Sequence, residues 1–111
     1  MEVSLKVEDE LYPLSRGLYE IYRGSKGDIS EVPIVLKGPG YENGRIIGAN
    51  QAVSHKHLQI NVLENSVELK DVGSRFGTRL DTRQFDEHVI SGKGLYRLEL
   101  GEVVDFELIV K

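Results

Sequence analysis

The chain has 111 residues, of which 40% are hydrophobic, 29% are charged and none is cysteine. These values are typical of a single globular domain with its own core, and they exclude disulfides and thiolate nucleophiles or metal ligands. A formal net charge of −4 argues against direct nucleic-acid binding, which needs a basic surface. The chain lacks an apolar run of membrane-spanning length and a secretory-signal layout, so no membrane partner is expected.

Charge is distributed unevenly along the chain. Residues 1–44 and 84–111 each carry a formal charge of −3, whereas residues 45–83 carry +2, which together give the total of −4. A locally basic middle segment suits a small anionic ligand such as a phosphate group. A solvated charged surface explains the same pattern, so charge alone leaves both interpretations open.

Short alternating apolar runs separated by turn residues predict an all-β domain. Residues 1–16 are predicted to form an amino-terminal arm or an edge strand, because Val3, Leu5 and Val7 alternate with polar residues. The predicted strands that follow are Leu18–Arg23, Pro33–Leu36, Arg45–Gly48, Lys56–Val62, Ser66–Lys70, His88–Ile90, Leu95–Leu98 and Val103–Val110. Many short strands with frequent turns favour an antiparallel sandwich or barrel.

Candidate catalytic and metal-binding groups are few. Ser54 and His55 are adjacent in sequence, and neighbours in an extended segment point to opposite faces and do not form a nucleophile–base pair. His55 and His57 share a face, but no carboxylate set accompanies them and His88 is remote in sequence. The glycine-rich segments GSKGD and GPGYENG lack the spacing of a phosphate-binding P-loop. We therefore expect no catalytic residues, no metal and no cofactor.

Four short motifs occur in a fixed order along the chain. A Gly-Arg pair is followed by VSHKHLQI, then by GSRFGT, and then by a Gly-Glu turn before the last strand. The ordered set resembles the forkhead-associated (FHA) domain over about residues 17–110. The matching residues are Gly44 and Arg45, then Ser54 and His57 with His55 at the family's basic position, then Ser74, Gly77 and Thr78, and finally Gly101 and Glu102.

The resemblance implies a β-sandwich of two sheets and about eleven strands over residues 17–111, with binding loops at one end. It implies a reader of phosphothreonine-containing peptides. Arg45 and Ser54 would contact the phosphate, with His55 beside them, because guanidinium and hydroxyl groups are strong donors to phosphate oxygens. By the same resemblance His57 would support the loops from behind. Gly44, Ser74, Gly77 and Thr78 would keep the shape of the site.

Two residues depart from the family pattern. Phe76 stands where the family has an asparagine that grips the peptide backbone, and a phenyl ring offers neither a donor nor an acceptor. Arg75 stands where serine or threonine is common, and its positive charge would attract phosphate. The segment between Arg45 and Ser54 is also short for the family. These departures weaken the expected phosphopeptide binding.

Within the family, the chain looks most like the amino-terminal FHA domain of DNA-damage checkpoint mediators, with an insect member as the nearest likeness. That likeness implies a homodimerising module at the amino end of a larger nuclear scaffold. Val103 and Ile109 lie on the face of the last strand opposite Val104 and Phe106, which is consistent with an interface or with burial on both faces.

Three functions therefore stay open. In the first, the chain reads phosphothreonine, either as a homodimer or as a monomer in another signalling scaffold. In the second, it is a self-association domain whose phosphate site has decayed. The third alternative is a small hydrolase or metal enzyme that uses Ser54, His55 and His57.

Overall fold

The computed structural model describes residues 1–24 and 32–111, and these residues form an all-β domain. No helix occurs among them, so they include none that is long and apolar enough to cross a membrane. The twelve strands are β1 (Val3–Val7), β2 (Glu10–Leu14), β3 (Gly17–Arg23), β4 (Pro33–Gly38), β5 (Tyr41–Ala49), β6 (Leu58–Val62), β7 (Val67–Asp71), β8 (Thr78–Leu80), β9 (Arg83–Phe85), β10 (Glu87–Ile90), β11 (Gly94–Leu100) and β12 (Val104–Val110).

The strands form two six-stranded sheets that pack as a sandwich. Sheet A has the order β2-β1-β12-β11-β8-β9, and sheet B has the order β10-β7-β6-β3-β4-β5. Every pairing described between neighbouring strands is antiparallel. The sheets agree with the sandwich predicted from the sequence, and the strand number of twelve is one more than the resemblance implied.

The core lies between the inner faces of the two sheets. Alternate residues of β6 and β12 point inward, as their apolar spacing predicts, and all of these are buried except Val104, which is half-buried. The largest fully buried side chains are Tyr19, Phe106, Leu5, Ile21, Ile34, Leu36, Leu58, Ile60, Leu69, Leu98, Leu100 and Leu108. Both sheets contribute to this set, so burial of their inner faces holds them together.

The first sixteen residues form a β-hairpin, not a mobile arm. β1 lies between β2 and β12 in sheet A, and Val3, Leu5 and Val7 are buried in the core. The two strands of the hairpin are joined by Glu8 and Asp9, and Glu8 has a φ of 56°. β1 is therefore an interior strand of sheet A, and β2 forms the edge.

The eight strands predicted after residue 16 are all present, with ends that differ by a few residues. Three strands were not predicted, namely β2, β8 and β9. The predicted strand from Lys56 begins instead at Leu58, because residues 50–57 form a loop that lies against β3. The segment GSKGD lies outside the described residues except for Gly24.

The carboxylate of Asp71 holds the turn between β7 and β8. Its Oδ1 accepts hydrogen bonds from the amides of Gly73 and Ser74, at 2.9 and 2.8 Å. Its Oδ2 accepts from the hydroxyls of Ser74 and Thr78. Burial by itself raises the pKa of Asp71, but the hydrogen bonds from Ser74 and Thr78 and from the two amides outweigh burial and lower it.

Replacing Asp71 with asparagine is expected to destabilise the domain by about 1–3 kcal/mol. An asparagine whose oxygen stays on the two amides turns its NH₂ group towards the two hydroxyls, which then have to accept and lose the carboxylate as partner for their own protons. The negative charge that strengthens all four hydrogen bonds is lost as well. Thr78 is fully buried and has no access to water in compensation. Urea unfolding of the wild type and of Asp71→Asn measures the free energy of unfolding directly.

The same substitution has an expected pH dependence. Because the pKa of Asp71 is lower in the folded than in the unfolded chain, its stabilisation is full above about pH 4 and is lost as pH falls through the folded-state pKa. The difference between wild type and Asp71→Asn should therefore shrink at lower pH. Asp9→Asn changes an exposed carboxylate in the β1–β2 turn and is the control. Equal stability of Asp71→Asn and Asp9→Asn at neutral pH would contradict the role of Asp71.

Candidate functional site

A cleft lies at the end of the sandwich where β3 ends and β6 begins. Its walls are the end of β3, the loop of residues 50–57, which we call the serine loop, and the turn of residues 72–77, which we call the glycine turn. The lining residues include Arg23, Gln51, Ala52, His55, Arg75 and Phe76. The cleft has a volume of about 760 Å³ and is open to solvent. This size suits one side chain of another molecule and the residues on either side of it.

Ser54 is the hydrogen-bonding centre of the serine loop. Its carbonyl accepts from the amide of Arg23 at 3.0 Å, which fastens the loop to the end of β3. Its Oγ accepts from the amide of Arg75 at 2.8 Å, which fastens it to the glycine turn. A hydroxyl that accepts one hydrogen bond keeps its own proton for donation, so Ser54 retains a donor for a ligand.

His57 is fully buried behind the cleft and joins both loops. Its Nδ1 accepts from the amide of Ser54 at 3.0 Å, so the ring proton lies on Nε2, which donates to the carbonyl of Gly77 at 2.9 Å. Burial lowers the pKa of His57, and the hydrogen bond to Gly77 and the charge of Asp71 offset this only in part. The ring is therefore neutral, and both of its nitrogens are engaged and unavailable to a metal.

Gly77 gives the glycine turn its shape. It has a φ of 82°, a conformation that glycine adopts without strain, and an added Cβ would lie 2.8 Å from Nε2 of Gln84. Its carbonyl accepts from His57 and also from the amide of Gly101 at 3.0 Å. The turn is thus fixed from the serine loop and from the β11–β12 turn of sheet A.

Gly101 brings the β11–β12 turn against the serine loop. It is buried with a φ of 65°, and an added Cβ would lie only 2.2 Å from the carbonyl oxygen of Ala52. Only glycine permits this backbone approach. Asn50 supports the same part of the loop, because its Oδ1 accepts from the amide of Ala52 at 2.8 Å. The serine loop is therefore held in place by the β11–β12 turn and by Asn50.

Arg75 and Phe76 form the outer wall of the cleft. The guanidinium of Arg75 lies over the ring of Phe76, with its central carbon 5.3 Å from the ring centroid, which is within the range of a cation–π contact. The side chain of Phe76 is 47% exposed and borders the cleft. Phe76 therefore does not pack inward, and its ring supports a cation at the rim.

The structure brings four of the five candidate binding residues together and separates the fifth. His55, Arg75 and Phe76 line the cleft, and together with Ser54 they line a smaller pocket of about 190 Å³ that adjoins it. Arg45 lies within β5, four residues before that strand ends at Ala49, which is about 13 Å along the strand. Burial raises the pKa of Tyr12 and Tyr41, and the charge of Arg45 partly offsets that rise, so Arg45 is near these phenols.

The five residues expected to support the site lie at different distances from it. His57, Ser74, Gly77 and Thr78 hold the two loops through the contacts described above. Gly44 lies with Arg45 inside β5, beside Val35, and is not part of either loop.

Sequence reasoning missed Arg23, Gln51 and Ala52 as lining residues, and it missed Asp71 as the anchor of the glycine turn. The signal that could have identified Arg23 as a lining residue was its two-residue spacing from the inward-facing residues of β3. It continues the alternate inward row of Tyr19 and Ile21 to the last residue of β3, where the row leaves the core.

The chemistry available at the cleft is that of anion binding. Two guanidinium groups, an imidazole and a serine hydroxyl border it, and no carboxylate does among residues 1–24 and 32–111. The same residues contain no group of three or more histidine, cysteine or acidic side chains placed to hold a metal. Ser54 bonds to the amide of Arg75 and not to His55, so no serine–histidine pair is formed there.

Comparison with solved structures supports the fold over the whole chain. The FHA domain of the CT664 protein from Chlamydia trachomatis has a TM-score of 0.70 at 20% identity, over 100% of this chain and 99% of that one. The FhaA FHA domain, solved with the intracellular domain of Rv3910, has a TM-score of 0.63 at 21% identity, over 98% of this chain and 99% of that one. An FHA domain from a study of phosphothreonine-dependent FHA interactions has a TM-score of 0.64 at 21% identity, over 100% of this chain and 96% of that one.

Comparison with curated protein sequences gave no match. The model of the FHA domain family matches residues 24–106, which include the serine loop, the glycine turn and the β11–β12 turn. All of the cleft residues named above except Arg23 therefore lie within the matched segment. The chain belongs to the FHA domain family.

Proposed function

We propose that this FHA domain is a non-catalytic interaction module that binds a phosphothreonine-containing segment of a partner protein in the cleft. The observation that carries the proposal is the Ser54 hydroxyl, held between two loops by backbone hydrogen bonds and bordered by cationic side chains, with no carboxylate among the described lining residues. A phosphate dianion presents several strong acceptors and matches these donors. One similar structure comes from a study of phosphothreonine-dependent FHA interactions, which supports the same ligand class.

The donors act in different ways. Ser54 offers one hydroxyl proton at a fixed position, because its amide, carbonyl and Oγ are all engaged by neighbouring groups. Arg75 offers a planar fork for two parallel hydrogen bonds, and its stacking on Phe76 limits its freedom before a ligand arrives. His55 is exposed beside them and adds a ring N–H.

Binding should depend on the phosphate and on Arg75. A degenerate peptide pool with one fixed phosphothreonine is expected to bind, whereas the same pool with threonine is not. Arg75→Gln should weaken binding of the phosphorylated pool by about tenfold or more, since a charge-assisted bidentate contact is lost. Fluorescence anisotropy with labelled pools measures both effects.

Arg16→Gln is the matched control, because it removes the same charge at the opposite end of β3, where Arg16 makes only an exposed ion pair with Glu64. It should leave the affinity almost unchanged. Equal binding of the phosphorylated and unphosphorylated pools by the wild type would overturn the proposed function.

Phe76 makes a second test possible. The family asparagine that grips the peptide backbone is replaced by a ring that cannot donate or accept. Phe76→Asn is therefore expected to tighten binding of the phosphorylated pool by about two- to tenfold, the value of one net hydrogen bond.

Phe76→Ala controls for loss of the ring, because it removes the cation–π support of Arg75 without adding an amide. It should give no gain. If Phe76→Asn binds no better than Phe76→Ala, the glycine turn does not contact the peptide backbone in the way proposed.

We also propose self-association in a nuclear DNA-damage scaffold, as the sequence resemblance implies. Exposed apolar side chains on sheet A support this second proposal. Leu95 is 62% exposed and pairs with the half-buried Ile109 on the outer face, and Val103, in the β11–β12 turn of the same sheet, is 65% exposed. The alternative of burial on both faces therefore does not account for these positions among the described residues.

Sedimentation equilibrium of the whole chain tests self-association. We expect a monomer–dimer equilibrium at micromolar concentration, shifted towards monomer by Leu95→Lys, because a charge on an apolar interface resists desolvation. A single monomeric species at several hundred micromolar would exclude the dimer without affecting the phosphopeptide proposal.

A further inference from the structure

Arg23 is positioned at the cleft by the regular alternation of β3. Tyr19 and Ile21 are fully buried, and Arg23 is the next residue on the same face and the last residue of the strand. Its side chain is half-buried and lines the cleft together with His55 and Arg75. The strand therefore delivers a guanidinium from the core side of the sandwich to the floor of the cleft.

The backbone of Arg23 is tied to the residue that would donate to phosphate. Its amide donates to the carbonyl of Ser54 at 3.0 Å, and the Oγ of Ser54 accepts from the amide of Arg75 at 2.8 Å. Ser54 therefore lies between the backbones of the two arginines. An anion at the Ser54 hydroxyl is within the reach of an arginine side chain from either wall.

Neither arginine is neutralised within the described residues. The five ion pairs found there involve Arg16, Lys70, Arg79 and Arg97, and not Arg23 or Arg75. No described lining residue of the cleft is acidic. Two like charges at one concave site repel each other, and a dianion relieves that repulsion.

Arg45 is placed differently, although the family resemblance assigned it to the phosphate. It pairs with Leu36 in the middle of the edge strand β5, beside Tyr12 and Tyr41. At the end of that strand, nearest the serine loop, stands Ala49, which has no charge to offer. The cation that β5 would supply to the cleft is therefore missing from it.

We infer that Arg23 and Arg75 together hold the phosphate, so that β3 supplies the cation that the resemblance assigned to β5. This inference rests on the proposed phosphothreonine binding and deepens it. Arg23 contacts the phosphate from the floor, Arg75 from the rim, and the Ser54 hydroxyl donates between them. Arg45 takes no part in binding.

The test compares two substitutions that change the net charge equally. Arg23→Gln and Arg45→Gln are titrated with the degenerate phosphothreonine peptide pool, and the thermal unfolding of each is recorded to confirm the fold. Arg23→Gln should bind about tenfold more weakly or worse, from the loss of a charge-assisted contact. Arg45→Gln should stay within about twofold of the wild type, because a remote exposed charge is screened by salt.

The outcomes separate the inference from the proposed function. Phosphate-dependent binding by the wild type that Arg23→Gln leaves unchanged overturns the role of Arg23 and leaves the proposed function standing. Loss in Arg45→Gln with Arg23→Gln unaffected returns the role to Arg45. Failure of the wild type to prefer the phosphorylated pool sinks the proposed function, and the inference with it.

A second measurement uses the wild-type protein and does not depend on whether a variant folds. In the ¹⁵N-labelled wild type, the side-chain Nε–Hε signals of Arg23 and Arg75 should shift when N-acetyl-phosphothreonine N-methylamide is added. The signal of Arg45 should stay in place. The unphosphorylated threonine compound is the control and should move none of them. A shift of Arg45 without Arg23 would reject the inference directly.

Discussion

The buried imidazole of His57 joins the two loops that form the cleft, and each ring nitrogen is committed to one of them. Nδ1 accepts from the serine loop and Nε2 donates to the glycine turn. This arrangement requires a neutral ring in one tautomer, and burial lowers the pKa of His57 in the direction that maintains it. A protonated ring would present a second donor to the amide of Ser54 and would break the contact. The spacing of the two loops therefore depends on one uncharged side chain.

The glycine turn is also held from two other directions by contacts within the domain. Asp71 collects donors from within the turn, and the amide of Gly101 reaches the carbonyl of Gly77 from sheet A. Because Gly101 also approaches the backbone of Ala52, the β11–β12 turn contacts both loops at once. The geometry of the cleft is therefore set by the packing of the sandwich, which holds the backbone that carries the side chains at the rim.

Strand alternation and motif order were sufficient to predict the sandwich and the glycine turn, whereas Lys56 and His57 of the serine loop were predicted as strand. The strands that escaped prediction are joined by turns without the usual signal. Glu8 in one hairpin and Asp81 and Thr82 in another have positive φ values, at positions where glycine or asparagine is expected. β8 and β9 have three residues each, too few for an alternating pattern to be recognised. The anchor Asp71 was missed because its partners Ser74 and Thr78 become visible only once the turn is closed.

The placement of positive charge was harder to predict than the placement of backbone. Motif order assigns a role to a residue from its neighbours in sequence. A phosphate instead binds the donors that lie close to it in space, whichever strand they come from. In this chain the Gly-Arg pair falls inside β5, and a strand delivers only its last residues to the end of a sandwich. β3 ends in Arg23 on its inward-facing row. A cation at this end of the sandwich can therefore come from β3 in place of β5, while hydrogen bonds hold Ser54 in position. Backbone hydrogen bonds therefore fix the position of Ser54, whereas the cation beside it is free to come from a different strand.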